Sequence, residues 1–224
     1  MFDFEFVGEA FPKVMGALPT TLFLTFVSCI ISLILGLILA LLIIYRVPVL
    51  RHIAAFFISY IRGTPLVVML YIIYAALPLI IRNFAGAEAA YSIPPIVYAV
   101  IAYGINQSAF MAEMYRSALE SVDAGQMEAC LSIGMTTSQA MRRVIIPQAA
   151  VVAIPNFTNI FLMLFKGTSL AFTVTVVDIM AQAKIEASNG LRFIESYLLV
   201  AVIYWVFCIF FERVLSHLEK KLKR

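Results

Sequence analysis

Long apolar stretches separated by short charged segments are the main pattern of this chain. A charged side chain at the centre of a bilayer costs about 2.5 to 3.5 kcal/mol, so the gaps between charged residues indicate where membrane spans lie. A spanning helix needs about 20 apolar residues. These rules predict about five spans, at residues 20–45, 53–81, 91–115, 149–176 and 194–215. We therefore expect an all-α integral membrane protein.

Prolines and glycines show where these spans begin and break. Pro48 interrupts the basic turn between the first two spans, because proline cannot continue a helix interior. The second span is interrupted at Arg62-Gly63-Thr64-Pro65, which predicts a break or kink. Pro94 and Pro95 stand at the start of the third span, where helix N–H groups have no partners in any case.

Lysine and arginine are divided unequally between the two sides of this layout. One side carries ten of the 16 basic residues: Arg46, Arg51, Arg116, Arg142, Arg143, Arg213, Lys220, Lys221, Lys223 and Arg224. The other side carries four: Lys13, Arg82, Lys184 and Arg192. Because cytoplasmic loops are enriched in lysine and arginine, we expect the N-terminus outside and the C-terminus inside. The acidic N-terminal flank lacks the basic start of a signal peptide, which predicts an uncleaved first span.

The composition excludes several classes of protein. Of the 224 residues, 63% are hydrophobic and 13% charged, whereas a typical soluble domain has about a quarter charged residues. Sixteen basic residues against 13 acidic ones leave a net charge of +3, without the basic excess of a nucleic-acid binder or the polarity of a disordered chain. We therefore expect residues 1–224 to form a single membrane domain without a separate soluble one. Cys29, Cys130 and Cys208 are widely spaced and are interpreted as small packing residues.

Residues 120–147 are the one long stretch between spans that is too polar to cross a bilayer. Asp123 fits the N-cap position of a short helix, and Gly134 stands where that helix would end in a left-handed conformation. Thr136 begins a second capping pattern, and Pro147 is predicted to close the second helix. This helix-turn-helix segment is either a solvated loop or a docking element for a soluble partner.

The same segment resembles the EAA motif of permease subunits of ABC importers, which consists of Glu-Ala-Ala, a glycine, and Ile-x-Leu-Pro. The matching residues are Glu128-Ala129-Cys130, Gly134 and Val144-Ile145-Ile146-Pro147. Cys130, Val144 and Ile146 depart from the pattern by apolar exchanges. The resemblance implies that this is the coupling helix, which in that family sits in a groove of the ATP-binding subunit.

The resemblance extends to the polar amino-acid uptake branch of these permeases, from Pro19 to Lys221. Its further matches are Ile61-Arg62-Gly63-Thr64-Pro65-Leu66, Ala112-Glu113 with Arg116, Val122-Asp123-Ala124-Gly125-Gln126 and Lys166-Gly167-Thr168-Ser169-Leu170. Segments 19–23, 168–172 and 203–205 look most like permeases for cystine and related sulfur amino acids. The implied architecture is a type I ABC importer permease, and the implied function is ATP-driven uptake of a polar amino acid, with L-cystine as the narrower suggestion.

The implied setting is the plasma membrane of a bacterium, where the chain would be a multi-pass protein surrounded by lipid. The implied partners are an ATP-binding subunit, an extracytoplasmic solute-binding protein and a second permease subunit that is identical or homologous. The odd span number independently favours a pore shared between two subunits, since it does not divide into equal halves. The chain itself is expected to bind no cofactor, and ATP with magnesium would belong to the partner subunit.

Polar residues within the spans are candidates for the transport pathway, because ionisable groups in a membrane usually serve a function. At helical spacing, Lys166 shares one stripe with Asn159, Ser169 and Thr173, and Thr168 lies beside it. An ammonium in a cavity could hold the carboxylate of an amino acid. The alternative is that Lys166 pairs with a carboxylate such as Glu113 and only fixes helix packing.

The second and third spans supply further polar candidates. Asn106 and Gln107 lie near mid-membrane depth and would line the pathway or, more commonly for such residues, hold helices together. Arg62, with Gly63 and Pro65, is expected to satisfy the carbonyls freed by the broken helix or to act as a gate with Glu113.

Motifs of intrinsic enzymatic activity are missing from the sequence. It contains no Gly-x-x-x-x-Gly-Lys-Ser/Thr phosphate loop, no Gly-x-Ser-x-Gly and no Cys/His spacing typical of a metal site. We therefore expect ATP hydrolysis on a separate subunit. The competing interpretations are a stand-alone secondary carrier or channel, and an intramembrane enzyme or scaffold.

Overall fold

The computed structural model describes residues 2–222, and within this range the chain is helical and has no β-strand. Lys223 and Arg224, counted above on the cytoplasmic side, lie outside the described residues. The helices are α1 (Phe4–Gly16), α2 (Leu18–Ile44), α3 (Leu50–Gly63), α4 (Leu66–Ala85), α5 (Ala87–Tyr91), α6 (Pro95–Glu120), α7 (Ala124–Ser132), α8 (Thr137–Ala140), α9 (Ile146–Gly167), α10 (Ile179–Gly190) and α11 (Phe193–Leu222). The expected all-α membrane fold is confirmed.

Among the described residues, four helical segments are long and apolar enough to cross a membrane: Phe4–Ile44, Leu66–Ala85, Thr137–Val174 and Phe193–Lys221. Helix α6 takes the place of the predicted third span. Its 26 residues give it a length of about 39 Å, against about 30 Å of hydrocarbon. It is less apolar than the others because Asn106, Gln107 and Ser108 lie within it.

The break predicted within the second span, residues 53–81, is present and divides it into two helices. Helix α3 ends at Gly63, and α4 begins only at Leu66. Thr64 has extended backbone angles, as expected for a residue before proline, and Pro65 has no N–H to continue the hydrogen-bonding ladder. With 14 residues, or about 21 Å, α3 is too short to span, so α4 is the spanning helix.

Helix α1 is an element that the apolar pattern did not predict. The Asp3 side chain caps it by accepting a hydrogen bond from the Phe6 amide at 3.0 Å. Ion pairs attach it to the outer ends of two later helices: Lys13 contacts Glu186 of α10 at 2.9 Å, and Asp3 contacts Arg192, just before α11, at 3.2 Å. The N-terminal segment is thus part of the fold rather than a loose extension.

Helices α2 and α6 pack closely along the centre of the domain. Gly36 allows this approach, because a Cβ there would lie 2.6 Å from the Met111 Cβ. Buried hydroxyl groups of α2 find backbone partners: Thr25 donates to the Thr21 carbonyl at 2.8 Å, and Ser28 to the Val100 carbonyl of α6 at 3.3 Å. Small and hydroxyl residues at such an interface are typical of membrane helices, where close backbone contact stabilises packing.

The cysteines agree with their interpretation as small packing residues. Cys29 and Cys130 are buried, Cys208 is half-buried, and all three are free thiols.

Candidate functional site: an exposed docking segment and a polar helix end

The structure builds residues 120–147, here called the docking segment, as two capped helices. Asp123 accepts a hydrogen bond from the Gly125 amide at 2.7 Å and begins α7. Gly134 follows with a φ of +83°, a left-handed conformation that favours glycine. Thr136 and Gln139 form a complete capping box at the start of α8. Both predicted N-caps and the glycine stop are present.

Pro147 does not close the second helix, so that prediction is wrong. Helix α8 runs through a π-helical turn, Met141–Ile145, directly into α9. A proline at position 147 removes the N–H that would donate to the Arg143 carbonyl, and its ring would crowd that carbonyl in a regular α-helix. The wider π turn accommodates both effects, so the docking segment continues without a break into a spanning helix.

Most of the docking segment lies on the surface. Glu128, Ala129, Gly134 and Pro147 are exposed, and Val144 is half-buried. Among its apolar side chains, Leu131 is 47% and Ile133 78% exposed, whereas Met127 is half-buried. Buried Cys130 faces the protein. Exposed leucine and isoleucine beside charged side chains are typical of an interaction surface, which favours a docking element over a solvated loop.

The predicted polar stripe of α9 is only partly a single stripe. Lys166 and Asn159 are exposed, and the Ser169 hydroxyl donates to the Lys166 carbonyl at 2.9 Å. Thr173 is exposed as well, but the chain turns into a 3-10 helix over Thr168–Val174. Because a 3-10 helix has 3.0 residues per turn, the α-helical spacing used to align Thr173 does not apply there.

Glu113, the carboxylate suggested as a partner for Lys166, forms ion pairs with two arginines instead. The Glu113 carboxylate contacts Arg116 at 2.7 Å and Arg62 at 3.5 Å. Within residues 2–222, Lys166 makes no ion pair. The suggestion that Lys166 pairs with Glu113 is therefore wrong, and its ammonium faces the surface.

The other polar candidates are buried and separate from that surface. Asn106 and Gln107 are 4% and 2% exposed, and the Gln107 Oε1 has no hydrogen-bond partner among the described atoms. Thr168 is also buried, and its hydroxyl donates to the Phe165 carbonyl at 2.8 Å. The structure thus places the predicted pathway residues in two groups, one exposed on α9 and the 3-10 helix and one inside the bundle.

Among the described residues, Arg62 donates no hydrogen bond to the carbonyls of the broken helix, so that one of its two predicted roles is wrong and the gate with Glu113 stays a prediction. The Tyr60 carbonyl instead accepts the Thr64 hydroxyl at 2.8 Å. Arg62 contacts Glu113 and lies 5.9 Å from the centre of the Phe110 ring. It therefore joins the end of α3 to α6, while Gly63 and Pro65 form the break itself.

A buried junction at Asp178 was missed in the sequence. Asp178 is fully buried between the 3-10 helix and α10, and burial raises the pKa of its carboxyl group. Its Oδ1 accepts the Ala181 amide at 2.9 Å, and its Oδ2 accepts the Tyr204 hydroxyl of α11 at 3.1 Å. The next amide, of Ile179, donates to the Thr21 hydroxyl of α2 at 3.1 Å. The available signal was an acid placed directly before a helix-forming run.

These features define a helical membrane protein in which an exposed two-helix segment continues directly into a spanning helix. The family model described as binding-protein-dependent transport system inner membrane component matches residues 32–224. The chain belongs to this family and is a multi-pass membrane protein.

Comparisons with individual proteins agree with that assignment. The probable amino-acid permease protein YxeN of Bacillus subtilis (strain 168) is 42% identical over 222 residues, covering 99% of this chain and 96% of that protein. The L-cystine transport system permease protein TcyL of the same organism is 34% identical and covers 100% of this chain and 92% of its own length. The crystal structure of an amino acid ABC transporter with histidines has a TM-score of 0.86 and 35% identity, with 99% of both chains covered.

Proposed function

We propose that this chain is the permease subunit of an ATP-driven importer that carries a polar amino acid into a bacterium across its plasma membrane. A separate ATP-binding subunit would hydrolyse ATP with magnesium, and an extracytoplasmic binding protein would deliver the amino acid. A second permease subunit, identical or homologous, would complete the pathway. The names of the similar permeases support an amino acid as cargo, and the likeness to L-cystine permeases supports cystine as the narrower proposal.

The docking segment is the observation that carries this proposal. It is exposed, capped at both helices and continuous with α9 through the π turn. Movement of an ATP-binding subunit held on Glu128 and Gly134 would therefore be transmitted directly to a spanning helix. Alternate opening of the pathway follows if the nucleotide-bound and nucleotide-free partners bind different orientations of that helix.

Charge reversal at Glu128 is expected to abolish capture of the ATP-binding subunit. The side chain is exposed at the centre of α7, so Glu128→Lys places a wrong charge on the docking surface without disturbing the core. The measurement is co-purification of the detergent-solubilised chain with ABC ATPases from its own cell. Glu88→Lys is the matched control, since Glu88 is exposed on α5, away from the docking segment. A wild-type chain that retains no ATPase would contradict the proposal and favour a self-sufficient carrier.

The substrate pathway is proposed to include Lys166, with Asn159, Ser169 and Thr168 around it and Asn106 and Gln107 deeper in the bundle. An exposed, unpaired ammonium on a spanning helix is costly in lipid and is stabilised in a pathway shared with a second subunit. There it would bind the carboxylate of the amino acid.

Replacing Lys166 with methionine is expected to reduce uptake at low substrate by about tenfold or more, because a hydrogen bond to a charged group contributes about 1.5 to 3 kcal/mol. The measurement is uptake of radiolabelled L-cystine and L-glutamine into cells expressing the complete transporter. Lys184→Met is the control, since Lys184 lies on α10 and its ammonium contacts the Phe172 ring. Unchanged uptake by Lys166→Met would eliminate the ligand role, and ATPase co-purification shows separately whether the complex still assembles.

A further inference from the structure

A cavity of about 590 Å³ opens beside the π turn, away from every residue assigned to the substrate pathway. Three helices enclose it, and two of them, α6 and α9, do so near the ends that adjoin the docking segment. Helix α2 contributes Leu37 and Leu41, with Tyr45 directly after its last residue, and α6 contributes Tyr115, Ala118 and Leu119. Helix α9 presents Ala149, Ala150 and Ala153, whose small side chains leave the space open.

The polar groups of this cavity are concentrated at one end. Thr137, Ser138 and Arg142 come from the short stretch that follows the Thr136 cap, and Tyr45 and Tyr115 add two further hydroxyl-bearing side chains near the ends of α2 and α6. Arg142 is exposed and makes no ion pair within the described chain. The remaining lining consists largely of leucine, isoleucine, alanine and methionine. A basic group above an apolar slot matches an anionic amphiphile rather than a zwitterionic amino acid.

The depth of the cavity fits one leaflet of a bilayer. Leu37 and Tyr45 are about 12 Å apart along the α2 axis, and one leaflet contributes about half of a 30 Å hydrocarbon core. Tyr45 is followed by the basic turn at Arg46, on the side that the distribution of lysine and arginine assigns to the cytoplasm. An acyl chain in the slot would therefore have its phosphate at the level of Arg142.

We propose that this cavity binds an anionic phospholipid of the cytoplasmic leaflet, with one acyl chain between α2, α6 and α9 and the phosphate on Arg142. The acyl chain of the lipid would pack against Met141 at the start of the π turn. It would thereby support the connection between the docking segment and α9. The occupant is a lipid and not the cargo, so this proposal does not depend on the identity of the transported amino acid.

Native mass spectrometry of the delipidated full-length chain, titrated in detergent with phosphatidylglycerol or phosphatidylcholine, tests the site. The wild type is expected to retain one phosphatidylglycerol in preference to phosphatidylcholine and to gain thermal stability from it. Arg142→Gln should reduce that preference by about fivefold, as expected for one basic contact at an anionic surface. Arg143→Gln is the matched control, because Arg143 is exposed but does not line the cavity.

Ala153→Trp, which fills the slot, should abolish retention of both lipids. Val152→Trp adds the same side chain on the neighbouring exposed position, outside the cavity, and should retain the lipid. Equal lipid retention by Ala153→Trp and the wild type would overturn the proposal. The proposal would also be overturned if Ala153→Trp converted a dimer to a monomer while the amount of bound lipid stayed the same. That result would mean that a second copy of the protein covers the cavity.

Discussion

Replacing Gly36 with leucine is expected to destabilise the folded chain by about 3 kcal/mol or more, because the new side chain has no space between α2 and α6. Its Cβ alone would lie 2.6 Å from the Met111 Cβ, 2.9 Å from the Ser108 carbonyl oxygen and 3.0 Å from the Ala112 nitrogen. Two of these atoms belong to the backbone of α6, so a change of side-chain rotamer cannot relieve the contact. The helices would have to separate along the central interface of the domain.

The measurement is the free energy of unfolding in mixed micelles, together with the yield of monodisperse protein. Gly8→Leu is the matched control, because a Cβ at Gly8 meets no atom within 4 Å and leucine favours a helix over glycine. Gly104→Ala should be intermediate, since its Cβ would approach only the Ile31 side chain, at 2.7 Å. Equal stability of Gly36→Leu and the wild type would show that the close approach of α2 and α6 does not hold the fold together.

Features that depend on local sequence could be predicted well for this chain. The apolar stretches place the long helices because charge is expensive in lipid wherever it occurs. The capping residues Asp123 and Thr136 act within three residues of their own position, so they mark helix starts without knowledge of the tertiary structure. Pro65 breaks its helix for an equally local reason.

Other features depend on backbone geometry or on distant contacts and could not be predicted in this way. The π turn before Pro147 and the 3-10 helix after Gly167 change the number of residues per turn, which a fixed helical spacing does not register. Helix α1 is short, and its contacts are with residues far along the chain: Val14 shares an apolar cluster with Ile179 and Val200, and Lys13 pairs with Glu186.

The candidate site also has one part that depends on local sequence and one that depends on distant contacts. The docking segment is local in sequence, so its caps, its glycine and its exposed surface were all predicted from neighbouring residues. The surroundings of Lys166, in contrast, depend on which carboxylates α6 brings near it. Glu113 is held by Arg62 and Arg116, and neither contact follows from the residues around Lys166.

Replacing Asp178 with alanine is expected to destabilise the chain by about 2 to 4 kcal/mol, the sum of a lost helix cap and an unsatisfied buried hydroxyl. Asp178 accepts both the Ala181 amide and the Tyr204 hydroxyl, and it is fully buried. Alanine would leave the first turn of α10 uncapped and Tyr204 with only the Thr168 hydroxyl, 3.5 Å away. The measurement is again the free energy of unfolding in mixed micelles.

Asp178→Asn is the conservative control for this junction, because its amide oxygen can still cap α10 and its amide nitrogen can donate to the Tyr204 oxygen. Tyr204→Phe removes the other partner and should also destabilise the chain. If the two side chains act as a unit, the double variant Asp178→Ala with Tyr204→Phe will cost less than the sum of the single variants. Strict additivity would mean that the bond between them contributes nothing. In that case, α11 would be held near this junction by apolar packing such as that of Phe165 of α9 against Tyr204, and the buried carboxylate would act only as a cap.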